Sequence, residues 1–189
     1  VTPDRGYCLS VRGLAREAGV ALNVPFHDVA DDTFVPAPDD AGYPVHIDAP
    51  DGCDQFSART VTGVDPGAPS PSWMRQRLAL SGMRAISLVV DVTNYVMLET
   101  GQPLHAFDRA KLRGPLRVRH ASEGEKLETL DGVNRGLHHD DLVVADDSGP
   151  VALAGVMGGA STEIDAASRD IVLEAAHWDP ASISRSVRR

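Results

Sequence analysis

The sequence predicts an α+β fold, with antiparallel or mixed β-sheets and helices packed on them in β/β/α layers, preceded by a short strand–helix segment. Three observations carry this expectation. Strand-like runs are numerous and short, and turns rich in Gly, Pro and Asp separate them. The few helical stretches do not alternate with strands in the βαβ rhythm that a parallel sheet requires.

Taken in order, Val1-Thr2-Pro3 reads as the end of a strand and Thr2–Gly6 as a turn. Ser10 is placed to cap a helix over Val11–Leu22, in which Leu14, Ala15, Ala18 and Leu22 recur near helical spacing. Asp31–Gly42, dense in Asp and Pro, reads as a linker. The expected division is therefore residues 1–35, part of a neighbouring structural domain with its linker, and residues 36–189, the main domain. Tyr43–Asp48 alternates as a strand, and Phe56–Val64 is a second. Ser72 caps a helix from Trp73 to about Ser81, which Gly82 ends. Leu116–His120 and Glu125–Leu130 read as strands, the latter closed by an Asp131-Gly132 hairpin turn. Asp141–Ala145 and Val151–Leu153 form a further hairpin, and Ile171–Ala176 a short apolar strand. Asp179 then caps a last helix with Pro180 at its first position.

Composition bounds what such a fold does. With 189 residues, 42% of them hydrophobic, the chain can bury a real core. A formal net charge of −9 argues against a DNA or RNA clamp that works through its own field, although a site receiving one end of an RNA held elsewhere stays open. No apolar run reaches membrane-spanning length and no signal-peptide pattern opens the chain, so a soluble, cytoplasmic protein with no membrane or DNA partner is expected. Cys8 and Cys53 form no C-x-x-C pair, which fits a reducing compartment and gives structural zinc no support. Both ends read as cuts from a longer protein.

The stretch from Ser87 to Asp108 organises the rest. An apolar helix carries Thr93 and Asn94, Gly101-Gln102-Pro103 breaks it, and His105 follows between Leu104 and Ala106. Such a histidine either orients a water or carbonyl near neutral pH or is satisfied by backbone. Thr93 and Asn94 either line a pocket or bond within their own helix. Glu174 stands in Ile171–Ala176, where a carboxylate is expensive unless it has a partner or a shifted pKa. It is either an acceptor at the floor of an apolar pocket or a residue on the wet face of an alternating strand. Ala154-Gly155-Val156-Met157-Gly158-Gly159 has neither the Lys-Ser/Thr of a P-loop nor the spacing of a dinucleotide fingerprint. It suits a loop whose bare backbone a ligand approaches, with N–H groups available as oxyanion donors, or a plain tight turn. His138-His139-Asp140-Asp141 has metal-ligand residue types, but adjacent residues seldom converge on one ion, and no metal site is expected.

Five segments together resemble one family: TPDRGYCLSVRGLARE from Thr2, PSWMRQRLALSGMRAISLVVDVTNYVMLETGQPLHAFD from Pro71, EGEKLETLDGV from Glu123, LAGVMGG from Leu153 and IVLEAAHWDP from Ile171. The chain is similar along nearly its whole length to the beta subunit of bacterial phenylalanyl-tRNA synthetases. The resemblance implies an editing domain that hydrolyses tyrosine misattached to phenylalanine tRNA, within a subunit that takes part in ATP-dependent charging. Carried over by motif, Glu174 would accept a hydrogen bond from the tyrosine hydroxyl. Gly155 and Gly158, with Ala154, would leave room for substrate. His105, Asn94 and Thr93, beside Pro103, would lie near the ester and help hold water or the terminal ribose. The implied partners are the 3′ end of mischarged Tyr-tRNA(Phe) and the alpha subunit of a heterotetramer. The implied cofactors, ATP and magnesium, belong to the complete synthetase and not to this fragment, which should not aminoacylate alone. Asp4, Ala85 and Ser87 depart from the family's usual Asn, Pro and Asn. The family continues past the position of Arg189 with a segment that adds a wall to the pocket. Two rival readings are a non-catalytic scaffold contacting tRNA or the alpha subunit, and a module that binds free amino acid.

Overall fold

The computed structural model describes residues 1–31 and 42–189. By contact they form two compact units, Val1–Asp40 with Gly67–Leu104, and Ala41–Pro66 with His105–Arg189. The expected cut at 35/36 and nearly all of the Asp31–Gly42 linker fall outside the described residues. The contact grouping is discontinuous, because Gly67–Leu104 joins the N-terminal residues.

The first unit is helical among its described residues. A 3-10 helix over Pro3–Leu9, kinked at Arg5, leads into α1 (Val11–Leu22), α2 (Ser72–Leu80) and α3 (Leu88–Thr100). This corrects the expected N-terminal strand. Pro3 presets a helical φ at the first position, and Arg5 N closes onto Thr2 O at 2.9 Å, so the turn continues into 3-10 structure. Ser10 caps α1 as expected, its Oγ accepting from Gly13 N at 3.0 Å. Ser10→Ala should lower stability by about 1 kcal/mol, read as a shift in the urea midpoint with an unchanged m-value.

The buried face of α1 is not the expected apolar stripe. Leu14 and Leu22 are 56% and 71% exposed, while Gly13 and Gly19 are buried. A Cβ at Gly13 would stand 1.9 Å from Tyr7 O, so close backbone approach decides which face turns inward. At α2 the cap position is Pro71 and Ser72 is the first helical residue, with no side-chain cap bond. Gly101, at φ 85°, stops α3 in the left-handed conformation that glycine tolerates.

The second unit holds the sheets. Its strands are β1 (Val45–Ile47), β2 (Cys53–Val61), β3 (His105–Asp108), β4 (Leu116–His120), β5 (Lys126–Glu128), β6 (Asn134–Gly136), β7 (Leu142–Asp146), β8 (Gly149–Leu153), β9 (Met157–Gly158) and β10 (Ile171–Trp178), followed by α4 (Pro180–Val187). A mixed five-stranded sheet runs β1-β4-β7-β8-β9, with only β1 and β4 parallel. An antiparallel sheet runs β2-β10-β3, and β5 and β6 form the hairpin that Asp131-Gly132 predicts. The architecture is thus α+β, as the sequence predicts.

Successive strand residues point to opposite faces, and β7 is buried on both. Leu142 and Val144 join Leu116, Val151, Phe107 and Val172 in a core shared by the two larger sheets. Val143 and Ala145 join Leu127, Leu137 and Leu153 in a second cluster on the opposite face. Helix α4 starts as expected, with Asp179 accepting from Ser182 N at 2.7 Å. Its last turn is held by buried Asp141, which accepts from Ser186 Oγ at 2.8 Å and Arg189 Nη1 at 2.9 Å.

Candidate functional site

The site grows from β10, the middle strand of its sheet. Glu174 lies directly opposite Ala58 of β2 and His105 of β3. Residues paired in this way share one face of an antiparallel sheet. Phe107, two residues beyond His105, shares that face, and its ring meets the imidazole edge-to-face at 4.5 Å and 84°. This face carries Phe107 and Val172 into the main core, so Glu174 and His105 project where the two sheets meet. Of the two readings left open for Glu174, the wet face is therefore excluded. Its residue is 8% exposed.

The electrostatics follow from burial. Glu174 Oε2 is a buried oxygen with no hydrogen-bond partner among the described residues. An uncompensated buried carboxylate keeps its proton, and desolvation pushes this one from 4.5 up to about 8. The same cause pulls His105 from 6.5 down to about 4. Near pH 7 the two groups face each other uncharged. A neutral carboxyl offers one O–H donor and an acceptor oxygen, and a neutral imidazole offers one donor and one acceptor.

Two consequences for stability have opposite sign. Folded Glu174 holds a proton that the unfolded chain releases above about pH 4.5, so its effect lowers stability as pH rises toward 8. Folded His105 lacks a proton that the unfolded chain binds below pH 6.5, so its effect lowers stability as pH falls toward 4. The effects oppose one another between pH 4.5 and 6.5 and leave Glu174 alone between 6.5 and 8. Thermal melts should therefore show the parent losing Tm between pH 6.5 and 8 relative to Glu174→Gln.

The glycine-rich stretch contributes from the neighbouring sheet. A Cβ on Gly158 would lie 2.3 Å from His105 Cε1 and 2.6 Å from Nε2, so only glycine lets the imidazole occupy its place. Gly155, at φ 65°, has Ile183 Cδ1 and Trp178 Cδ1 at 2.9 and 3.0 Å from where its Cβ would stand. Ala154 is 1% exposed within the main core. The space above both glycines is thus taken by the protein's own side chains, and Gly158 acts on His105 directly.

The other expected residues belong to the first unit. Thr93 is buried and its Oγ1 donates to Val90 O at 2.9 Å, the intrahelical alternative. Asn94, half-buried, follows it on α3. Pro103 is exposed, and its carbonyl accepts from Gln102 Nε2 at 3.0 Å.

Sequence reasoning missed two contributors. Phe107 is legible only through its i+2 alternation with His105. Ala58 emerges only once the register of β2 on β10 is known. His138, His139 and Asp140 do bring donor atoms within 4.8 Å of one another, despite being adjacent. Both histidines are exposed, His138 Nδ1 accepts from Asp140 N at 3.2 Å, and Arg189 Nη2 lies 3.8 Å from the Asp140 carboxylate.

Comparison with known proteins agrees with this architecture. Residues 52–189 match the family model described as the B3/4 domain. The chain is 59% identical over 192 residues to the phenylalanine–tRNA ligase beta subunit of Streptomyces avermitilis, covering all of this chain and 23% of that protein. It is 58% identical over 189 residues to the corresponding subunit of Thermobifida fusca, again with 23% of the relative covered. The chain thus spans under a quarter of the length of these relatives. An N-terminal fragment of the phenylalanyl-tRNA synthetase beta subunit from Pyrococcus horikoshii shares the fold at a TM-score of 0.55 and 15% identity, covering 94% of this chain and 54% of that one. No helix among the described residues is long and apolar enough to cross a membrane. The match over residues 52–189 settles the family: the chain belongs to the B3/4 domain family.

Proposed function

We propose that this chain is the editing part of a phenylalanine–tRNA ligase beta subunit and that it hydrolyses the ester of mischarged Tyr-tRNA(Phe). The observation that carries the reading is the buried Glu174 oxygen left without a partner opposite His105. A buried polar atom without a partner asks for a ligand group that completes it. The phenol of tyrosine has an O–H that Glu174 Oε2 can accept, and phenylalanine offers nothing in its place. Tyrosine and phenylalanine differ by that hydroxyl alone, and an apolar synthetic pocket rejects an added hydroxyl by only about 10². A second site that demands the hydroxyl reverses the choice.

The chemistry asked of the site is modest. Water adds to the ester carbonyl carbon, the bond to the ribose oxygen breaks, and tyrosine and the free tRNA hydroxyl leave. An aminoacyl ester is already reactive, so a positioned water and fixed donors suffice without a strong nucleophile. His105, uncharged near pH 7, can accept from that water through one ring nitrogen. Roles for Thr93, Asn94 and Pro103 rest on the resemblance alone. The reading assigns no cofactor to these residues and gives ATP, magnesium and the alpha subunit to the charging reaction of the complete ligase.

The test is an NMR titration of the chain with tyrosine methyl ester and, separately, phenylalanine methyl ester. Shifts at residues flanking Glu174 with the tyrosine compound alone, lost in Glu174→Ala, are the expected result. Equal response to both compounds would contradict the reading.

A further inference from the structure

The surroundings of Glu174 bear on which ligands it can take. Among the described residues its side chain makes no hydrogen bond and no ion pair, and Oε2 is buried without a partner. Its cross-strand neighbours on the same sheet face are Ala58, which offers a methyl, and His105. Neither carries a fixed positive charge, and His105 is uncharged near pH 7. Two residues along β10 on that face stands Val172, opposite Phe107, and both are fully buried and apolar. A carboxylate anion here would be an isolated buried charge, which a carboxyl avoids by keeping its proton.

The protonated group differs from the anion in a way that a ligand can feel. A carboxylate only accepts hydrogen bonds, whereas a carboxylic acid has an O–H to donate and an oxygen with which to accept. A pocket floored by an anion takes ligands that donate, such as a phenol, and repels a ligand that brings only a lone pair. A pocket floored by an acid takes both kinds. A buried O–H without a partner asks for a ligand group as much as a buried oxygen does.

Resting on the editing reading, we propose that the site takes a wider class than tyrosine: phenylalanine analogues with any hydrogen-bonding atom at the para position of the ring, pure lone-pair acceptors included, because the buried and partnerless Glu174 carboxyl both donates and accepts. Tyrosine is the member of this class that can use either half of the group. Phenylalanine stays outside it, since a para C–H satisfies neither the O–H nor the oxygen.

The probes are the methyl esters of para-cyanophenylalanine and para-ethynylphenylalanine, which are nearly equal in length and shape. The nitrile nitrogen accepts and cannot donate, whereas the ethynyl group is a weak C–H donor and a poor acceptor. The nitrile stretch also reports directly, because accepting a hydrogen bond moves it to higher frequency than in an aprotic solvent. At neutral pH the parent should bind the cyano ester about tenfold more tightly than the ethynyl ester, the factor expected of one buried hydrogen bond, and the bound nitrile band should lie above its aprotic position. Glu174→Ala should level the two affinities and remove the band shift. Glu174→Gln, whose amide also donates and accepts, should keep the shift. Failure of the cyano ester to bind, an unshifted band, or ethynyl binding as tight as cyano binding would overturn the proposal. Titration with tyrosine methyl ester separates this failure from that of the editing reading. A tyrosine-selective response without a cyano response sinks this inference alone and leaves an acceptor that only accepts, whereas loss of the tyrosine response sinks both.

Discussion

On the proposed reading, Glu174→Ala should abolish the preference for tyrosyl over phenylalanyl esters. The side chain is buried in the middle of a three-stranded sheet, and one of its oxygens has no partner among the described residues. In the proposed reaction, a tyrosine hydroxyl would complete that oxygen, and a phenylalanine ring would leave it bare. The difference between a buried hydrogen bond made and one left unmade is about 1–3 kcal/mol, or roughly 5–150-fold in the ratio of kcat/KM values. Removing the carboxyl removes both the benefit and the penalty, so the ratio should fall toward one. Glu174→Gln is the informative companion. It keeps an acceptor oxygen and cannot ionise, so it should retain part of the preference while losing the fall in stability between pH 6.5 and 8. Parallel deacylation assays on the two esters check both variants.

Gly158→Ala is the second large effect. The added methyl would overlap the His105 ring at 2.3 Å, a separation no folded protein sustains, and the strand edge bearing Gly158 is paired to β8. The imidazole must therefore move, away from its edge-to-face contact with Phe107. Overpacking of this kind costs about 1–3 kcal/mol of stability. Displacing a water-positioning group by an ångström costs about 10² in rate. Gly136→Ala, where an added Cβ meets nothing within 4 Å, is the matched control and should change neither quantity. Urea denaturation and single-turnover deacylation separate the two effects.

What could be read in advance depended on how local the determining physics was. The caps at Ser10 and Asp179 were legible because a short polar side chain and its acceptor geometry lie within one turn. The Asp131-Gly132 hairpin was legible for the same reason. The burial of Glu174 was not, because Ile171–Ala176 suits an edge or a central strand equally. Only the pairing of β10 with both β2 and β3 places the carboxylate in the interior. The inward face of α1 is not legible in the sequence because its apolar stripe is regular, whereas the deciding contact is Gly13 against the backbone of Tyr7. The role of Gly158 was visible only as a general need for bare backbone. That the neighbour is His105 depends on two strands meeting from different sheets.

The role that the resemblance gives Thr93 is open to the same kind of test. The resemblance assigns it to the reaction, yet its hydroxyl already serves Val90 O within α3. Thr93→Val should therefore leave ester selectivity unchanged and alter stability by about 1 kcal/mol or less, the net worth of one ordinary hydrogen bond.

The most direct measurement is the rate at which the chain deacylates Tyr-tRNA(Phe) compared with Phe-tRNA(Phe), for the parent and for Glu174→Ala. The account predicts faster loss of tyrosine than of phenylalanine in the parent and equal rates in the variant. Equal rates in the parent, or a tyrosine preference that survives removal of Glu174, would contradict it and leave the fold as a scaffold for RNA or subunit contacts.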